Sequence, residues 1–178
     1  MEDMNNLFWL DLEMTGLDPQ KDHILEIAVL VTDKDLQVIK EGPSFAIQQP
    51  PEYLAHMDDY VRNLHTDSGL LNRVADSTTS IGLAEREIMS FFFTYCISGI
   101  TILCGNSIWV DRSFLKRYMP HLDACFHYRM IDVSSCKELA KRWYPELPPF
   151  EKKKAHRAME DVYESLEELK HYRATIFK

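Results

Sequence analysis

The chain has 178 residues, 46% of them hydrophobic and 27% charged, which is enough apolar material for one substantial core and excludes a disordered polypeptide. A formal net charge of -8 argues against a protein that tracks long nucleic acids, because that task needs a basic surface to neutralise phosphates. MEDMNNLF lacks a basic leader, and no run approaches the roughly 18 apolar residues of a membrane span, so a cytoplasmic protein forming one domain over residues 1–178 is expected.

The average charge hides a segregation. Residues 1–111 carry a net -12, residues 112–157 a net +6 and the last 21 residues a net -2, so a basic segment adjoins an acidic body that suits short anionic substrates better than long polymers. The four cysteines, Cys96, Cys104, Cys125 and Cys136, are widely spaced and form no CxxC pair. Reduced, buried thiols are expected rather than a zinc knuckle or a disulfide framework.

In chain order, LFWLDLE at residues 7–13 reads as a strand closed by the turn TGLDPQKD, and residues 23–33 read as a second strand. LQVIKEGPSFAI reads as a third, bulged at Gly42 and Pro43, which makes an antiparallel meander. From Pro51 the pattern turns helical, and Ile81, Ala84, Ile88, Phe91, Phe92 and Tyr95 mark a long amphipathic helix by their spacing of three and four. A short buried strand at 100–104, a helix from about Asp111, a strand at 128–132 and a helix from about Ser134 to Trp143 follow. YPELPPFEKKKAH is a loop, and a last helix from about Arg157 aligns Met159, Val162, Leu166 and Leu169. A meander followed by alternating strands and helices predicts an α/β fold: a mixed five-stranded sheet flanked by helices, the order found in ribonuclease-H-like folds.

Asp11 and Glu13 interrupt an apolar strand, where acids are depleted. Two residues apart, they share a face about 7 Å apart along the backbone, at roughly 3.3 Å per residue. Buried carboxylates are costly unless paired or bound to a cation, and no Lys or Arg precedes Lys21. Taken alone, the pair reads better as an edge strand with both acids in water, because so short a motif often matches by chance. Asp111, placed after ILC and its GNS turn, and Asp161, five residues after His156, change that balance, although each also suits a plainer role, Asp111 as a helix N-cap and Asp161 as a solvated helix position. Four carboxylates without a Cys or His cluster match a hard divalent cation, Mg²⁺ or Mn²⁺, rather than zinc. His156 is a candidate proton acceptor, since imidazole titrates near neutral pH; its spacing of five from Asp161 brings both to one site only if it lies at the helix start or on the preceding loop.

FWLDLEMTGLDP, CGNSIWVDRSFLKRYMP, FHYRMIDVSSCKELAKRWYP and HRAMEDVYESLEELKHYR, in this order over nearly the whole chain, closely resemble the oligoribonuclease family of DEDDh exonucleases. The resemblance implies that Asp11, Glu13, Asp111 and Asp161 bind two divalent cations and that His156 is the general base. Stepwise 3′-to-5′ hydrolysis of RNA of two to five nucleotides to 5′-mononucleotides, dinucleotides favoured, is implied with it, as is a homodimer. It places Leu17 as a wedge against the bases and Ser107, Arg129 and Ser134 around a 5′ phosphate. His65 and Tyr60 are expected to reach the partner subunit's site, Tyr60 as a stacking residue where relatives often have tryptophan. Trp109 and Val110 stand where relatives tend to have smaller or polar residues, so the indole either crowds the site or packs beneath it. Glu160 replaces an aspartate common beside Asp161. A proofreading-type exonuclease on DNA would share the acids and the fold, although the four-residue gap from Asn106 to Asp111 looks like oligoribonuclease. A non-catalytic nucleotide-binding module is disfavoured by the lack of GxGxxG or P-loop patterns.

Overall fold

A computed structural model describes residues 3–151 and 157–177. Its framework is a five-stranded mixed sheet in the order β3-β2-β1-β4-β5, formed by β1 (Leu7–Met14), β2 (Ile24–Thr32), β3 (Val38–Ala46), β4 (Ile102–Gly105) and β5 (Met130–Asp132). The first three strands form the expected antiparallel meander, and β4 and β5 continue it in parallel. All nine residues of β2 are buried, so its near-continuous apolar run reflects cover on both faces of the sheet rather than alternation with solvent. The bulge in β3 is real. Pairing with β2 jumps from Ser44 opposite Ala28 to Glu41 opposite Leu30, and a Cβ on Gly42 would come within 2.6 Å of Val29 Cγ2.

Side chains alternate across β1 and sort the helices into two layers. Phe8, Leu10 and Leu12 join a core with α4 (Ile81–Tyr95), α5 (Ile108–Tyr118) and the short α6 (Pro120–Asp123). Trp9 joins the opposite core with α7 (Val133–Trp143) and α8 (Ala158–Thr175), whose Val162, Leu166 and Leu169 form the anticipated stripe. Between the meander and α4, the helical stretch after Pro51 divides into α1 (Pro51–Ala55), α2 (Asp59–Asp67) and α3 (Leu70–Asp76), with Leu70 and Val74 packed on Leu25 and Met57. The four cysteines are free thiols. Among the described residues, no helix is long and apolar enough to cross a membrane.

Strands β4 and β5 each begin two residues later than expected, and the start of α5 differs more consequentially. Helix α5 starts at Ile108, three residues before Asp111, because the chain turns through Ser107 in the left-handed region at φ 50°. Asp111 is therefore a residue of the first turn and not an N-cap.

Candidate active site

The site forms where β1 outruns its parallel neighbour. Strand β4 pairs with Leu7, Phe8 and Trp9, so among the described residues β1 runs on past the end of its parallel ladder. The crossing is tight: a Cβ on Gly105 would lie 2.8 Å from Leu10 O, a close approach that only glycine permits. Immediately after it, α5 delivers Asp111, and Asp111 Oδ1 accepts the Leu12 amide at 2.9 Å, supplying the acceptor that a longer β4 would have offered.

Asp11 and Glu13 lie on the Trp9 face of β1, the face that α8 covers. Asp161 sits in the first turn of α8, and one carboxylate oxygen from each of Asp11, Glu13 and Asp161 lies within 4.8 Å of the other two. Burial above all, then the negative charges of Asp161, Glu26 and Asp111, push the Glu13 carboxyl up to about 8, with Arg73 pulling it down. Burial also raises the Asp111 carboxyl, aided by Asp132 and opposed by hydrogen bonds from its own amide and that of Leu12. Convergent oxygen donors whose mutual repulsion stabilises the protonated forms are the arrangement that a hard divalent cation relaxes.

Asp11 and Asp111 line a cavity of about 410 Å³ together with Leu17, Asn106, Ser107, Trp109 and Val110. Leu17, 75% exposed, is one of its lining residues. Trp109, 62% exposed, also faces this cavity rather than packing beneath it. At the end defined by Ser107, the Ser107 amide donates to Asp132 Oδ1 and Ser134 Oγ, and the two serine hydroxyls are 3.1 Å apart. Asp132 caps α7 through the Ser134 amide, so Ser134 is the second helical residue and not the cap. Arg129 is exposed, its guanidinium 5.3 Å from the Tyr128 ring centroid.

Two expectations about histidines fare differently. His65 was expected to serve the partner's site. It is 1% exposed, its Nε2 lies 2.8 Å from Met14 O and its Nδ1 3.8 Å from Glu13 Oε2, which places it beside this chain's own acids. Tyr60 on α2 is 75% exposed. His156 lies outside the described residues.

The sequence reading missed Glu26 and Asp132. Glu26 stands opposite Glu13 on β2, is 2% exposed, pairs with Arg73 of α3, and accepts the Ala158 amide at the start of α8 at 3.3 Å. An acid inside the run ILEIAVLVT was the available signal, the same one that exposed Asp11 and Glu13.

The profile of the Exonuclease family matches residues 8–169. The Oligoribonuclease of Dichelobacter nodosus is 50% identical over 99% of this chain and 98% of its own, and that of Salmonella typhimurium is 51% identical over the same shares. Among solved structures, the zinc-bound complex of E. coli ExoI with single-stranded DNA superposes with a TM-score of 0.72 at 21% identity, covering 98% of this chain and 41% of that longer one. That likeness is one of fold, and it matches the ribonuclease-H-like mixed sheet expected from the element order. The class is thus that of the exonucleases. Within it the chain belongs to the oligoribonuclease family, hydrolases of the 3′-to-5′ exoribonuclease kind.

Proposed function

We propose that this chain, as one exonuclease domain over residues 1–178, degrades very short RNA to 5′-mononucleotides, dinucleotides foremost, using two divalent cations held by Asp11, Glu13, Asp111 and Asp161. The observation that carries this reading is the geometry of the acids. Three carboxylates converge at one end of α8 while Asp111 and Asp11 line a cavity that Ser107 also lines.

Two Mg²⁺ or Mn²⁺ ions bound there would lower the pKa of the attacking water and stabilise the leaving 3′ oxygen. The chain's own residues do the rest. His156, a few residues ahead of Asp161, accepts the proton of the attacking water. Leu17 wedges against the bases at the cavity margin, and Ser107 and Arg129 donate hydrogen bonds to a 5′ phosphate in a pocket that Ser134 helps to form. A pocket built around a terminal phosphate rewards a substrate that ends there and penalises one that continues. Tyr60 offers a stacking face from a second copy in a homodimer, and the net charge of -8 suits a cytoplasmic enzyme that does not track polymers.

The test compares Mg²⁺-dependent hydrolysis of a 5′-phosphorylated dinucleotide with that of a 20-mer RNA. A strong preference for the dinucleotide is expected, and equal rates per 3′ end would end the short-RNA reading. Asp111→Asn should cut turnover by about three orders of magnitude or more, since one ligand of a reacting cation is lost. Turnover left intact by that change would remove Asp111 from the site.

A further inference from the structure

Glu168 is fully buried, lies outside the acidic cluster, and has no part in the chemistry described above. Its surroundings nevertheless lead to the phosphate end of the cavity. Glu168 Oε2 accepts from Asn106 Nδ2 at 3.1 Å, and Oε1 accepts from Tyr172 Oη at 2.9 Å, with Lys137 Nζ 3.5 Å away. The same Asn106 nitrogen is 2.8 Å from Ser165 Oγ. On its other side, Asn106 Oδ1 accepts the Ser134 hydroxyl at 3.1 Å.

An ionised carboxylate can only accept hydrogen bonds, whereas a serine hydroxyl can give or take. Of the groups around Asn106, Glu168 is therefore the one that dictates which way the amide faces. With the nitrogen turned to Glu168, the oxygen must face Ser134. Ser134 then commits its single proton to Asn106 and holds its lone pairs toward Ser107, whose amide it receives at 3.0 Å. In the contact between the two hydroxyls, Ser107 becomes the donor. Its O–H is thus the one that can swing to an arriving phosphate oxygen without breaking a buried bond.

Helix periodicity joins this device to the chemistry. Asp161, Ser165 and Glu168 are four and seven residues apart on α8, one stripe of a helix, spanning about 10 Å at 1.5 Å per residue. One face of α8 therefore contributes an acid to the cation site and, two turns on, holds the Asn106 amide of the cavity lining.

We infer that Glu168 is a positioning residue for substrate length: through the Asn106 amide it pre-orders Ser134 and Ser107 for a 5′ phosphate. This rests on the phosphate-pocket reading above. The experiment measures kcat and KM for a 5′-phosphorylated dinucleotide and for the same dinucleotide lacking that phosphate. In the unaltered protein the phosphorylated form is preferred, and Ser107→Ala reduces the preference. Glu168→Leu removes the acceptor and should lower the preference by about tenfold, through KM more than kcat, as expected for one lost orienting bond to a charged ligand. Glu168→Gln keeps an oxygen for Asn106 and turns its nitrogen to Tyr172, so it should retain most of the preference. Asn106→Ala, which breaks the relay at its middle, should match Glu168→Leu and serves if the leucine variant fails to fold. A preference unchanged in folded Glu168→Leu, or in Asn106→Ala, overturns the inference while leaving the pocket standing. No phosphate preference in the unaltered protein overturns the pocket reading itself.

Discussion

Glu13 holds its proton far above the ordinary carboxylate range, and this has a measurable consequence for the cation-free protein. With a pKa raised from 4.5 to about 8, the folded state binds more protons than the unfolded state between those values. Stability of the chelated protein should therefore fall as pH rises from about 4.5 to about 8, with the whole cost present above that range. Melting temperatures measured in EDTA across that window should decline, and saturating Mg²⁺ should flatten the decline. Equal slopes with and without the cation would show that Glu13 is not a ligand. Gly105 yields a second prediction at this scale. Gly105→Ala puts a methyl 2.8 Å from Leu10 O, so β1 and β4 must separate where Asp11 begins the site. A loss of about 1–3 kcal/mol in urea unfolding, with weakened cation binding, is expected from such overpacking.

At the scale of elements, α8 depends on a neighbour for its first turn. Arg157 provides no side-chain cap, and the Ala158 amide turns to Glu26 across the sheet. Glu26 is tolerable there because Arg73 of α3 faces it. Arg73→Met should cost about 2 kcal/mol, the buried-pair penalty discounted because Arg73 is 39% exposed at its side chain. Glu26→Gln introduced into that variant should recover much of the loss in a chemical-denaturation cycle. Additive effects would mean that the two side chains act independently. This pair marks the limit of what was legible in the sequence. The meander, the β3 bulge, α4 and the α8 stripe follow from local periodicity, and the convergence of Asp11, Glu13 and Asp161 follows from a strand face meeting a helix start. Glu26 with Arg73, and Glu168 with Asn106, join residues 47 and 62 apart, and no local pattern encodes which distant partner a buried acid will find. The start of α5 was misjudged for a related reason: Ser107 enters the left-handed region without glycine, held by Asp132 and Ser134 from another element.

For the whole molecule, acidic residues dominate the first 111 positions and basic ones gather in 112–157, the segment that carries Arg129. On the proposed function, such a molecule is expected to grip a short anion locally and to repel a long one. The logarithm of dinucleotide affinity against the logarithm of salt concentration should have a slope of magnitude about 0.7–1.4, set by one or two phosphates at roughly 0.7 per phosphate. A slope of about 6 or more would indicate an extended phosphate track instead. The three tryptophans are distributed in a way that makes the cavity observable by light. Trp9 is wholly enclosed, Trp143 ends α7 at 67% exposure, and Trp109 alone among them borders the cavity. Nucleobases that settle beside that indole will quench its emission, so intrinsic fluorescence of the untagged protein should report occupancy in real time. Trp109→Phe should silence the signal, which would make this side chain a built-in optical gauge of the reaction's first step.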